Sequence, residues 1–185
     1  SDESQIFLSR GDAGKLFTLY QFTDGIRMLV QHQPGAYTQA VAEPPKPGVW
    51  THYAGTYDGK AIRLYVHGKL AAKTPAEGRI PKSKAPLMIG SLAPHKRTLD
   101  GALDDVRVWN RALSESEIAL VAEGEGPDEG LVARFTADSF DGDVWKNTVD
   151  ADTSATYYAK SEKPRLLQNR KLDGYRGIWY CNQGQ

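Results

Sequence analysis

Residues 61–67 read Ala-Ile-Arg-Leu-Tyr-Val-His, and their alternation is strict. Ile62, Leu64 and Val66 fall on one side of an extended chain, and Arg63, Tyr65 and His67 on the other. Reversal signals bracket the run. Asp58-Gly59 before it reads as a two-residue primed turn with both residues at positive φ, and His67-Gly68 after it reads as a second. Histidine enters the left-handed region less readily than asparagine, so the second turn is expected to carry slight strain. A period of two closed at both ends by turns cannot lie along a helix. It requires three consecutive antiparallel strands between about residues 50 and 72.

The same grammar recurs. Strands are expected at 5–10, 15–22, 26–32, 37–42, 87–90 and 102–110, separated by Gly11-Asp12, Asp24-Gly25, Pro34-Gly35, Pro47-Gly48, Pro81 and Asp100-Gly101. Many short strands at regular spacing predict an all-β sandwich or barrel. One short helix interrupts them. Ser114-Glu115-Ser116-Glu117 is a capping box, Ile118 with Val121 or Ala122 supplies its apolar side, and Gly124 ends it. The 185 residues, 40% hydrophobic and 25% charged, can bury a core without disulfides, and Cys181 is the sole cysteine. Lys plus Arg and Asp plus Glu both number 23, so no global attraction to nucleic acid or an anionic membrane is implied. No apolar run of about 18 residues exists to span a bilayer, and no signal peptide is visible.

The motifs W-x-H-x-A-G-T-Y-D-G (50–59), L-Y-V-x-G-K-L (64–70), P-L-x-I-G-S (86–91) and D-G-x-L-D-D-V-R-V-W-N-R-A-L-S (100–114) stand in order along the chain. Together they resemble the laminin-G-like, concanavalin A-like jelly-roll domains of bacterial secreted proteins. The resemblance implies two stacked antiparallel sheets with one short helix, and binding of glycan or an extracellular protein surface rather than catalysis. It also implies an extracellular or periplasmic location. Its span is about residues 5–123. The apolar first strand usual in the family does not precede Gln5, so residues 1–123 read as a jelly roll lacking that strand.

Residues 124–173 read as an irregular extension that opens on the acidic, glycine-rich stretch 123–130. Leu131–Phe135 either fills the sheet edge left open at residues 5–10 or begins the next module. Residues 172–183, LDGYRGIWYCNQ, resemble the opening of sialidase-like β-propellers, so 174–185 reads as the truncated start of a further domain. Residues 139–145 resemble the Asp-box turn of such propellers but lack one residue of its spacing. The parent is therefore expected to be a larger secreted protein. The alternative is a multi-domain glycosidase, sialidase-like enzyme or polysaccharide lyase whose active site lies outside these residues.

Catalysis by this stretch finds no support in its motifs. Jelly-roll glucanases place carboxylates as E-x-D-x-x-E on one strand face, and no Glu here starts that pattern. A nucleophile elbow, H-E-x-x-H and a phosphate loop are also missing. His32, His52, His67 and His95 lack metal-ligand spacing. Asp138, Asp141 and Asp143 do not match an EF-hand loop. Family likeness offers Asp105, before V-R-V, as the ligand of a structural Ca²⁺ completed by backbone carbonyls. The alternative for Asp105 is an ion pair with Arg107, two residues on and on the same face. For ligand binding, the basic loop 93–98 offers His95 and Arg97, and Tyr37 and Trp50 are aromatic candidates for stacking on a sugar. Oligomeric state is not readable.

Overall fold

The computed structural model describes residues 4–11, 15–44, 46–92, 97–141, 144–150, 155–156 and 179–181. Two five-stranded antiparallel sheets face one another. The first runs β4-β3-β2-β1-β8 and is built from β1 (Gln5–Arg10), β2 (Phe17–Phe22), β3 (Gly25–Gln33), β4 (Ala36–Ala42) and β8 (Leu87–Ile89). The second runs β7-β6-β5-β15-β9, from β5 (Thr51–Tyr57), β6 (Ala61–Val66), β7 (Lys69–Pro75), β9 (Ala102–Asp104) and β15 (Trp179–Cys181). Strand β10 (Val106–Trp109) pairs with β11 (Leu131–Phe135), and β12 (Phe140–Asp141), β13 (Val144–Trp145) and β14 (Ala155–Thr156) form a small ladder. The all-β two-sheet jelly roll expected from the motifs is the fold observed. Among the described residues no helix is long and apolar enough to cross a membrane.

Alternation decides what enters the core. Phe17, Leu19, Ile26, Met28, Val30, Ala40 and Ala42 point from the first sheet to meet Tyr53, Ile62 and Leu64 from the second. The Phe7 and Tyr53 rings stack across the gap at 5.9 Å and 18°. Val106, Ala133 and Phe135 join this core, so the β10–β11 ladder packs against the sandwich. The outward residues of the second sheet are also covered. Helix α1 (Glu115–Ala122) buries Ile118 and Val121 with Tyr65 and Leu113, and Ala54 and Trp109 pack beside them. Its start is the expected capping box, with both reciprocal bonds between Ser114 and Glu117 in place. Gly68 lets the helix approach, since a Cβ there would lie 3.1 Å from Ala122 Cβ and 3.2 Å from Ala119 Cα.

One local expectation is met and three are corrected. Val66 pairs with Lys69 across His67-Gly68, both at positive φ (48° and 75°), as a primed turn requires. Asp58-Gly59 also reverses the chain, but more widely: Tyr57 pairs with Ile62, and Gly59 alone of the two takes positive φ. The Asp58 carboxylate accepts from the Lys60 and Ala61 amides at 2.9 and 2.8 Å, so a side-chain turn replaces the primed one. The strand expected over 102–110 is two strands, because Asp105 sits at φ 47° and breaks the extended run between β9 and β10. Leu131–Phe135 is a strand paired to the jelly roll, yet its partner is β10 rather than β1, whose two sides are taken by β2 and β8. Within the stretch 174–185, Trp179–Cys181 lies between β5 and β9 and pairs with both.

Candidate functional site

Helix α1 covers the outer face of the second sheet, and among the described residues no helix covers the outer face of the first. Residues of opposite phase to the core line a hollow there of about 170 Å³. Ile6, Leu29 and Leu92 give it apolar surface; Thr18, Tyr20 and Tyr37 add hydroxyls and rings; Lys15 and Arg97 add charge. β2 delivers Thr18 and Tyr20 because Phe17 and Leu19 point inward, and β3 delivers Leu29 from between Met28 and Val30.

Neighbouring glutamines orient the two phenols. The Tyr20 hydroxyl donates to Gln39 Oε1 at 3.1 Å, and Gln31 Nε2 donates to the Tyr37 hydroxyl at 3.3 Å. Burial raises the Tyr20 phenol above its usual pKa against the opposing pull of Arg27 and, more weakly, Arg97, so it remains a proton donor at neutral pH. Arg27 is itself engaged: it chelates both oxygens of Asp24 at 2.8 Å and lies 5.0 Å over the Phe22 ring. Arg97 has φ 49°, an uncommon conformation for a residue with a Cβ.

Of the ligand candidates read from the sequence, Tyr37 and Arg97 meet at this hollow although 60 positions separate them in the numbering. Trp50 does not join them; it is half-buried immediately before β5, in the opposite sheet. His95 lies outside the described residues. Sequence reasoning missed Lys15, Thr18, Tyr20 and Leu29. The period-two phase of residues 17–22 puts Thr18 and Tyr20 on one face, but nothing local says whether that face is open or covered.

Asp105 does not suit the calcium expected from family likeness. Its side chain is 4% exposed, and both oxygens accept from guanidinium groups. Arg107 donates from Nε and Nη2 at 2.9 and 2.8 Å, and Arg134 donates from Nε at 3.0 Å. Two cations already occupy the lone pairs a hard metal would need, and calcium wants six to eight oxygens. Among the described residues no group of three or more His, Cys, Asp or Glu could hold a metal ion. The ion pair with Arg107 is thus the arrangement seen, widened by Arg134. Arg107 also donates to the carbonyls of Gly124 and Glu125, tying the chain that leaves α1 to β10.

A second hollow, of about 410 Å³, lies between the β5–β6 turn and the start of α1. Of its acids Asp58, Glu115 and Glu117, the first and the last are committed. Asp58 is held by Arg63 at 2.7 Å, which with the Lys60 and Ala61 amides keeps it well below the usual carboxylate range. Glu117 is brought down to about 2 by Arg111, then by the amide and hydroxyl of Ser114. Neither carboxylate is poised to deliver a proton near neutral pH.

Residues 1–119 match the Concanavalin A-like lectin/glucanases superfamily. A crystal structure of a candidate carbohydrate binding protein from Bacteroides ovatus superposes with a TM-score of 0.62 at 19% identity, covering 86% of this chain and 50% of that one. Human adhesion G-protein coupled receptor D1 is 34% identical over 88 residues, and mouse pappalysin-1 is 31% identical over 86. These stretches take in 44% and 43% of this chain but 10% and 5% of the two relatives.

Proposed function

The chain belongs to the concanavalin A-like lectin/glucanases superfamily, and from that premise we propose that it is a non-catalytic recognition module whose first sheet holds a glycan on its open face. One observation carries this reading: the molecule covers one outer sheet face with a helix and leaves the other with a hollow combining aromatic rings, hydroxyls and cations. Sugars present both apolar ring faces and hydroxyl edges, and a rigid sheet holds complementary groups in place at little entropic cost. The engagement of Asp58 by Arg63 and of Glu117 by Arg111 in the second hollow favours binding over hydrolysis. The Bacteroides neighbour, a candidate carbohydrate binding protein, points the same way. The parent is read as a larger secreted bacterial protein; a glycoside-active enzyme with its active site elsewhere is the alternative, on the C-terminal resemblance to sialidase-like propellers.

A glycan array followed by titration calorimetry tests the reading. Tyr37→Ala should weaken binding at least tenfold, while Leu120→Ala, on the far side at α1, leaves it unchanged. An array with no bound glycan overturns the proposal.

A further inference from the structure

Beyond the site on the first sheet, we propose that the hollow between the β5–β6 turn and the start of α1 is a second, independent binding site, which takes the hydroxyl edge of a neutral saccharide. A buried hydroxyl marks it. Tyr65 is 1% exposed and lines the hollow, and its phenolic oxygen has no hydrogen-bond partner. The charges of Glu115, Arg63 and Asp58 all bear on that phenol, so its hydroxyl end lies among the polar groups of the hollow while its ring packs with Leu113 and Ile118. Burial foremost raises its pKa, against the pull of Thr56 and Arg63, and the phenol keeps its proton at neutral pH. Thr56 stands across from Arg63 in the β5–β6 ladder, and its buried oxygen has no hydrogen-bond partner either. An unsatisfied buried hydroxyl is a cost to the fold that a ligand's own hydroxyl removes.

The groups around this phenol supply both donors and acceptors. Arg63 reaches Asp58 through Nη1 alone, at 2.7 Å, and keeps its other guanidinium N–H groups for a ligand. Glu115 is the lining acid that neither Arg63 nor Arg111 holds. As the first residue of α1 it also stands outside the capping box of Ser114 and Glu117, so its carboxylate is available to accept. A sugar hydroxyl accepts from a guanidinium or a phenol and donates to a carboxylate at the same time, and this set answers both needs. An ion of either sign would instead compete with the Asp58–Arg63 and Glu117–Arg111 pairs, each closed at 2.7 Å. Ala112 and Leu113 offer apolar surface to the C–H side of a ring. At about 410 Å³ the hollow falls within the ~300–1,000 Å³ typical of small-molecule sites.

The experiment follows the backbone amide resonances of the full chain. Methyl glycosides of glucose, galactose, mannose and xylose are added singly, with methylammonium and acetate as charged comparators. At least one glycoside should shift the amides of Arg63, Tyr65 and Ser114 to Glu117 saturably. Glu115→Gln should weaken that binding by roughly tenfold, and Tyr65→Phe by roughly threefold to tenfold. Tyr65→Phe should also keep or raise the melting temperature, because it removes only the unpartnered hydroxyl; a purely structural role for Tyr65 would leave the affinity alone. Should Tyr65→Phe melt early, Glu115→Gln, on an exposed position, gives the decisive comparison. The proposal is overturned if no glycoside moves these resonances, if only methylammonium or acetate moves them, or if the shifts survive both substitutions. Shifts that disappear in Tyr37→Ala overturn it too and leave the reading of the first sheet standing. Shifts retained at α1 beside an array indifferent to Tyr37→Ala support the second site and remove the first.

Discussion

The carboxylate of Asp105 is enclosed by Arg107 and Arg134, with the first guanidinium buried beside it at 6% exposure. Taking away one member of such a buried set leaves a charge without water or partner. Asp105→Ala should therefore lose about 3–5 kcal/mol of unfolding free energy, read from urea denaturation. Nearby His52 shows the opposite problem, a group kept neutral. Burial foremost, then repulsion by His67 and Arg107, lowers its pKa from 6.5 to about 4 against the pull of Asp105. Between those values the unfolded chain binds the extra proton and the folded one refuses it. Stability then falls as pH drops from about 6.5 towards 4, with a contribution of about 3 kcal/mol. His52→Gln should flatten that part of a stability–pH curve; an unchanged slope would locate the acid sensitivity elsewhere.

Helix α1 and the hairpins show how far local signals reach at the scale of elements. The capping box at Ser114 was legible because its chemistry is confined to four neighbouring residues. Ser114→Ala should cost about 1 kcal/mol and lower the melting temperature without altering the β signature of the circular dichroism spectrum. His67-Gly68 was legible for the same reason. Asp58-Gly59 was half legible: the reversal is there, but the Asp58 side chain competes for the Lys60 and Ala61 amides and opens the turn. The run 102–110 misled because alternation continues through Asp105, whereas that residue, ion-paired to Arg107 and Arg134, sits in the left-handed region and the two halves join different ladders. Pairing of Leu131–Phe135 with β10 rather than β1 follows from the same point. A strand's sequence states that it pairs and says little about its partner.

Across the whole molecule, packing of the two sheets sets both stability and the site. A Cβ on Gly55 would stand 2.9 Å from Met28 Sδ of the opposing sheet. Gly55→Val should overfill that contact and cost about 1–3 kcal/mol in chemical denaturation, with the loss shared by β3 and β5 rather than confined to either. The candidate site depends on the same layering. Tyr20 and Tyr65 both alternate outward from amphipathic strands, yet Tyr65 is 1% exposed against α1 while Tyr20 lines an open hollow.

Side-chain alternation and turn chemistry by themselves determined that this chain is an all-β sandwich or barrel with one capped helix, since both act over a few residues; the two-sheet arrangement was implied by the family resemblance. They also marked Tyr37 and Arg97 as worth attention. Only the tertiary structure decided that these two share a hollow with Lys15 and Tyr20, that the helix covers the other sheet, and that Asp105 is balanced by arginines. The reason is physical: a local pattern says which residues lie on a common face, but which layer covers that face, and which distant charges converge on it, is settled by long-range packing.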